Sequence, residues 1–421
     1  MKYSITIFFL LVSSHIIAQQ FSMESFVLDT AKVSLGKRGN YNLNSTVFTN
    51  RLFYRLLDGN HVSERDVDRM QSRTSPYNNI GYNFDLDAYA SFRPDSLFNR
   101  EMKNHTFYFR LADRQLINAQ FSDDFVDFTL MGNRNFAGSE ANFDQFNLEI
   151  SRFQQIQIGA FHHFESGNVV GASIGFLNGE QNQLIDSDFF RVQTEIDGNS
   201  LSASSLLTIQ QTDTNNTGFL SNNGAGASID LYFQKMLSSS DGSSRKLTFE
   251  LQDLGFIRWN ANSINYQIDT TYTFEGVFIE DIFNLNDSAL SASNPDSLID
   301  DFLGDGSPGA YTYWLPARLM VNYSVHKANG TFYRFGGIYR FQANMLPYIY
   351  GQYGKQLKPN LSLAGTLGLG GYGMINLGFE SRLHWNWANL DFHIASNNLE
   401  GLILPMFSGG TSLFVGVQKR F

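Results

Sequence analysis

The sequence contains no cysteine. That excludes disulfides, thiolate metal sites, iron–sulfur clusters and cysteine nucleophiles together. Prolines number only 8 in 421 residues, and charged side chains make up 17%, below the roughly 25% of an ordinary soluble chain. Basic clusters are scarce as well: 30 Lys and Arg stand against 40 Asp and Glu, a net charge of −10, so no nucleic-acid partner is expected. Beyond residue 18 no apolar run approaches the ~20 residues that a membrane-spanning helix needs.

What is present points to export and to lipid. Lys2, the apolar run "ITIFFLLV" (5–12) and "HIIAQQ" (15–20) with a cleavage point after Ala18 read as a secretory signal peptide over 1–18. No cysteine follows that run, so a lipoprotein anchor is not expected. Residues 19–421 then form a single domain. It is rich in aromatics (39 Phe and 19 Tyr) and in glycine (36).

Alternation of period two recurs along the chain, which is the pattern of strands with one apolar and one polar face. Leu247, Phe249 and Leu251 oppose Lys246, Thr248 and Glu250; Leu319, Val321 and Tyr323 oppose Arg318, Asn322 and Ser324. The end of the chain, "LFVGVQKRF", sets Leu413, Val415, Val417 and Phe421 against Ser412, Gly416, Gln418 and Arg420. In a sandwich the apolar faces meet each other, whereas in a membrane barrel they meet lipid and the polar faces line the lumen. Export, aromatic excess and the terminal Phe421 decide for the barrel. The fold class expected is all-β: a transmembrane antiparallel outer-membrane β-barrel of about 14 strands (12–16 allowed) with short interior or loop helices.

Closure follows from solvation. Lipid cannot satisfy backbone N–H and C=O groups, so the last strand must pair with the first. Phe421 is then expected at the periplasmic rim, with Lys419 snorkelling into headgroups. Strand-like stretches are read at 41–50, 80–92, 105–112, 145–153, 155–164, 168–178, 201–211, 225–237, 244–257, 263–274, 317–327, 331–343, 346–353, 360–370, 373–384, 386–396 and 411–421, more than the barrel can use. Three segments break the pattern. Residues 55–75 carry a short helix over Glu64–Gln71. Residues 121–131 place Phe121, Phe125, Phe128 and Met131 near helical spacing behind Ser122 and Asp123 as caps, a candidate plug or gate. Residues 275–310 hold eight acids and no Lys or Arg.

No catalytic constellation survives inspection, so no enzyme, no cofactor and no metal is expected. His162 and His163 in "FHHF" point to opposite faces of a strand. "GLGGYG" (368–373) lacks the strand–turn–helix context of a phosphate loop and reads as a tight turn. The acidic segment lacks the spacing of a calcium loop. What remains is a set of candidate lumen charges, with Arg318, Arg334 and Arg340 facing Asp230 and Glu250.

Four phrases stand out together: "LMGNRNFAG" (130–138), "LQDLGFIRWN" (251–260), "WLPARLMVNYSV" (314–325) and "YGKQL" (353–357). They resemble a Bacteroidota outer-membrane family of unknown function. The resemblance implies a barrel distantly similar to the long-chain fatty-acid transporter and type IX secretion shuttle barrels, and it brings no catalytic or binding residues. Besides membrane lipid, two partner classes are expected. One is a hydrophobic small molecule bound or passed through a plugged lumen. The other is a cell-envelope or secretion protein bound by a structural or accessory barrel.

Overall fold

The computed structural model describes residues 22–27, 31–57, 62–198, 200–274, 306–341 and 344–421. The expected signal peptide and most of the acidic segment 275–310 lie outside them. Among the described residues, sixteen strands have seven residues or more. They are β1 (Val33–Ser45), β2 (Asn78–Phe92), β3 (His105–Phe121), β4 (Asn147–His163), β5 (Val169–Thr194), β6 (Leu201–Gln211), β7 (Gly224–Leu237) and β8 (Ser244–Trp259). There follow β9 (Ile264–Phe274), β10 (Arg318–His326), β11 (Thr331–Arg340), β12 (Leu346–Lys358), β13 (Leu361–Gly371), β14 (Ile375–Trp385), β15 (Leu390–Ser396) and β16 (Gly410–Arg420).

Fourteen of these close into an antiparallel barrel; β6 and β9 do not take part. The seam is β1 against β16, in register from Ser34↔Arg420 to Asn44↔Gly410. The Phe421 N–H donates to the Val33 carbonyl at 2.9 Å, so even the last residue is tied into the closing pair. β5, at 26 residues, is far longer than the roughly 9–11 that a tilted spanning strand needs. Its first half pairs with β7 from Val169 to Gly179. From Gln183 it pairs with β6, which pairs in turn with β9, and beyond Asp186, where its pairing with β4 ends, it leaves the barrel.

The faces are inverted relative to a soluble protein. Ile158, Ile174, Phe176, Ile349 and Leu367 are exposed on the outer wall, while Arg110, Asp230, Glu250, Gln155 and Gln157 are buried inside. That is the solvation pattern of a barrel in lipid. One end has short connections, such as 164–168, 327–330 and 359–360; the other carries 46–77, 122–146 and 397–409. The "GLGGYG" glycines form the tight β13–β14 turn, with Gly370 at φ +88° and Gly371 at φ +71°, backbone that only glycine adopts cheaply.

The long-loop end is covered by helices α2 (Asn50–Leu57), α3 (Glu64–Gln71) and α4 (Asp123–Met131). Asp66 ties the cover together. It accepts from the Ser63 hydroxyl at 2.5 Å and lies 3.2 Å from both the Arg51 and Arg55 guanidinium groups. Burial works to raise its pKa, but the Ser63 hydrogen bonds and the two guanidinium groups outweigh it and hold the carboxyl below the usual carboxylate range.

A charge on the lipid face should cost by depth. Ile174→Arg, at a position 68% exposed on the wall, is expected to lose about 2–4 kcal/mol in urea unfolding from phospholipid vesicles. Ile196→Arg, 84% exposed in the turn beyond β5, should stay within about 0.5 kcal/mol. Asp66→Asn should speed tryptic cleavage at Arg65 and Arg69 severalfold at neutral pH. Because the folded pKa is depressed, the contribution of the wild-type carboxylate is complete above the unfolded value of about 4. It is lost as pH falls from there through the folded value.

Candidate functional site

The lumen is filled from the short-turn end by residues 22–27, "SMESFV". They form a single helical turn, α1 (Glu24–Val27). Phe26 anchors it. Its ring stacks on Tyr108 at 4.3 Å, meets Tyr89 edge-on at 5.0 Å and lies 6.3 Å from Phe161. Met23, Val27, Val169 and Tyr232 complete this buried cluster. Gly159 and Gly171 make room for the rings: an added Cβ would stand 2.2 Å from Tyr108 or from Phe161. Burying a Phe side chain stabilises the seat by about 1.5–3 kcal/mol.

The polar side of the plug is fixed by charge. Glu250 accepts from the Ser22 hydroxyl at 2.5 Å and from the Met23 N–H at 2.8 Å. Glu24 is paired with Lys246 and lies 3.8 Å from Arg334. The Arg38 guanidinium covers the Tyr89 ring at 4.0 Å and donates to Ser25 Oγ at 2.8 Å. Arg93 donates to the Val27 carbonyl at 3.0 Å.

Beyond the plug, the β2–β8 side of the lumen is a buried ionic network around a cavity of about 30 Å³. Arg110 pairs with Asp87. Gln157 donates to Asp230 at 2.5 Å, and the Asp253 N–H donates to the same carboxylate at 2.8 Å. Asp253 holds φ +60° at the register shift between β7 and β8. This bulge aims its carboxylate at Arg114, 2.5 Å away. Nearer the long-loop end, residues 312–314 extend the wall beside β8 and turn the side chains of Tyr311, Tyr313 and Leu315 inward. Tyr311 donates to Asn182 at 2.8 Å, Tyr313 hydrogen-bonds Glu149, and Leu315 packs with Phe153, Ile257 and Trp259.

The β10–β16 side is looser. A vestibule of about 460 Å³ opens between the turns of the short-turn end, bordered by Arg382, Glu380, Asp391 and Arg420 and reaching Ser25 of the plug. Past Arg334 it meets a cavity of about 90 Å³ lined by Met320, Ile338, Tyr348, Tyr350 and Phe414. A third cavity of about 40 Å³, which shares Ile338, Tyr348 and Asn397 with the second, continues toward Tyr372 and Asn398. Spaces of 40 and 90 Å³ hold a few waters, not a drug-sized molecule.

Of the candidate lumen arginines, Arg318 and Arg340 line the cavity of about 30 Å³ with Arg110, Arg114 and Asp253, while Arg334 stands apart. Arg318 donates to Gln252, which donates to Glu250 at 2.9 Å. Arg334 stands between Glu24 and Glu380. Arg340 donates to Asn83. Asp230 belongs to the Arg110–Arg114 network instead. The candidate plug residues stand at the long-loop end. Phe121 is buried with Val47, Leu52 and Met70, while Phe125 and Phe128 pack on Phe143 and Met131 is exposed. Helix α4 lines none of the cavities just described; Gln71 of α3 donates to its Asp127 at 3.0 Å. His163 points inward to Thr106, 2.9 Å away, whereas His162 contacts His105 at 3.1 Å. Sequence reasoning passed over Arg110, Arg114, Asp87, Asp253, Glu24, Lys246 and Glu380. The shared parity of Arg110 and Arg114, beside a strand carrying Asp85 and Asp87, was the available signal.

Comparison with curated proteins gives no match. Among solved structures the chain is similar to a deletion mutant of the TodX monoaromatic hydrocarbon channel, with TM-score 0.46, 9% identity, and coverage of 94% of this chain and 92% of that one. It is also similar to the Pseudomonas putida toluene transporter TodX (TM-score 0.41, 8% identity, 96% and 93% covered). The Ralstonia pickettii toluene transporter TbuX gives TM-score 0.33 and 7% identity, with 97% and 96% covered. The model of a family of unknown function (DUF5723) matches residues 31–396, and the chain belongs to that family.

Proposed function

We propose that this barrel is a plugged outer-membrane channel that passes a small hydrophobic molecule along the β10–β16 side of its lumen. The observation that carries the reading is the seat of residues 22–27: a short segment held by one aromatic cage and a few ion pairs, next to a chain of cavities that it narrows. The central cavity presents Met320, Ile338, Tyr348 and Phe414 to whatever passes, beside the polar Glu24, Arg38, Asn322, Arg334 and His393. At about 90 Å³ it is too small for such a solute until α1 moves. The short-turn end is the periplasmic one, since barrels of this type carry short periplasmic turns and longer outer loops. Helix α4, with Phe125, Phe128 and Met131, then serves together with Phe121 at the end of β3 as an outer cover of the route.

A second reading rests on the β5–β6–β9 sheet, which projects from the barrel rim as a platform. It makes the chain an accessory barrel that binds another envelope protein there.

Loss of the Glu24 charge separates the two. Removing one partner of a buried pair costs about 3–5 kcal/mol, enough to unseat a single helical turn. Glu24→Gln is expected to open conductance in planar lipid bilayers where the wild-type chain is nearly silent. Toluene should reduce that conductance and glycerol should not, with a general porin in the same membrane unaffected by either. A Glu24→Gln barrel as silent as wild type would overturn the channel reading in favour of the accessory one.

A further inference from the structure

We propose that the short-turn vestibule is a binding site for a small oxyanion, a carboxylate or phosphate group in solution, held between Arg334 and Arg382. The chain as a whole is acidic, with net charge −10. This vestibule has the opposite sign. Among the described residues its border carries the cations Lys327, Arg334, Arg382 and Arg420 against the carboxylates Glu380 and Asp391. A concave site of net positive charge with low-dielectric walls concentrates anions.

The two carboxylates are committed to neighbours. Glu380 accepts from Arg382 Nε at 2.5 Å and from Gln352 at 2.8 Å, and it lies 3.1 Å from His393 Nε2. Asp391 is shared by Arg420 Nε at 2.7 Å and His384 Nδ1 at 2.9 Å. Neither carboxylate is left to attract a cation. Arg334 differs. Its guanidinium lies 3.8 Å from Glu24 and 3.9 Å from Glu380, beyond hydrogen-bond distance of both. It borders the vestibule and the central cavity at once. Arg382, engaged through Nε, has a fork of further N–H donors and is 41% exposed to the same space. Two guanidinium groups around one carboxylate, with room beside it, are matched to a planar or tetrahedral oxyanion. The barrel wall keeps lipid headgroups out, so the ligand comes from the aqueous side.

This site stands whether or not the barrel conducts. Isothermal titration calorimetry of the full chain in detergent micelles with inorganic phosphate tests it. Saturable binding is expected, weakened roughly tenfold by Arg382→Gln and unchanged by Lys32→Gln, which alters an exposed pair with Asp95 elsewhere at the same end. Glu380→Gln, which removes the competing charge at nearly constant shape, should tighten binding, a gain that misfolding cannot produce. Absence of saturable binding by the wild-type chain, or equal affinity in wild type, Arg382→Gln and Glu380→Gln, would overturn the proposal.

Discussion

Hydrocarbon offers no partner to a peptide group, and each unsatisfied N–H or C=O within it costs several kcal/mol. A sheet that enters a bilayer must therefore close on itself. Once β1 pairs with β16 along its length, every strand has an outside that lipid demands be apolar and an inside that lipid never sees. The inside can then carry charge at a density no soluble core would tolerate, provided each charge finds a partner.

That freedom explains the lumen. Arg110 and Asp87 are almost fully shielded yet paired, and the Asp253 bulge exists to bring one more carboxylate to Arg114. Such networks add little net stability beyond what apolar packing of the same volume would supply, but they hold one arrangement against others. The two sides of the interior differ in consequence. The β2–β8 side is locked by ion pairs, aromatics and the inward Tyr311 and Tyr313 around a cavity of only about 30 Å³, while the β10–β16 side keeps the larger spaces. The plug lies across the boundary. Phe26 sits in the packed side, and Glu24 reaches toward the loose one.

Much of the fold was legible because alternation is a direct imprint of two solvents. Closure and most of the strands follow from it, and the helix at Glu64–Gln71 and the Ser122-capped helix after β3 stand where it breaks. The errors have physical causes. β1 begins at Val33 rather than near residue 41, because its outer face (Leu35, Lys37, Gly39) is too weakly apolar to announce a strand. β4 is one strand where two were read, since Gln154 and Gln155 blur the parity. The stretches 201–211 and 263–274 alternate convincingly yet extend β5 beyond the barrel; alternation reports a covered face and not what covers it. The plug was invisible for a simpler reason. Six residues carry no period, and "SMESFV" acquires meaning only beside Glu250, Lys246 and Tyr108, which are distant in sequence. The phrase "LQDLGFIRWN" gains a reason: Asp253 is the bulge, an added Cβ at Gly255 would stand 2.3 Å from the Ala227 carbonyl oxygen, and Ile257 and Trp259 are fully buried.

The absence of cysteine makes one thiol placed in the plug a clean reporter of which side can reach it. Ser25 lies at the floor of the vestibule. Labelling of Ser25→Cys in intact cells by a bulky, membrane-impermeant maleimide is therefore the most direct measurement. A plugged lumen predicts no labelling until the outer membrane is permeabilised and rapid labelling afterwards. Equal labelling before and after would mean that residues 22–27 do not separate the two mouths, and the plug would have to be abandoned.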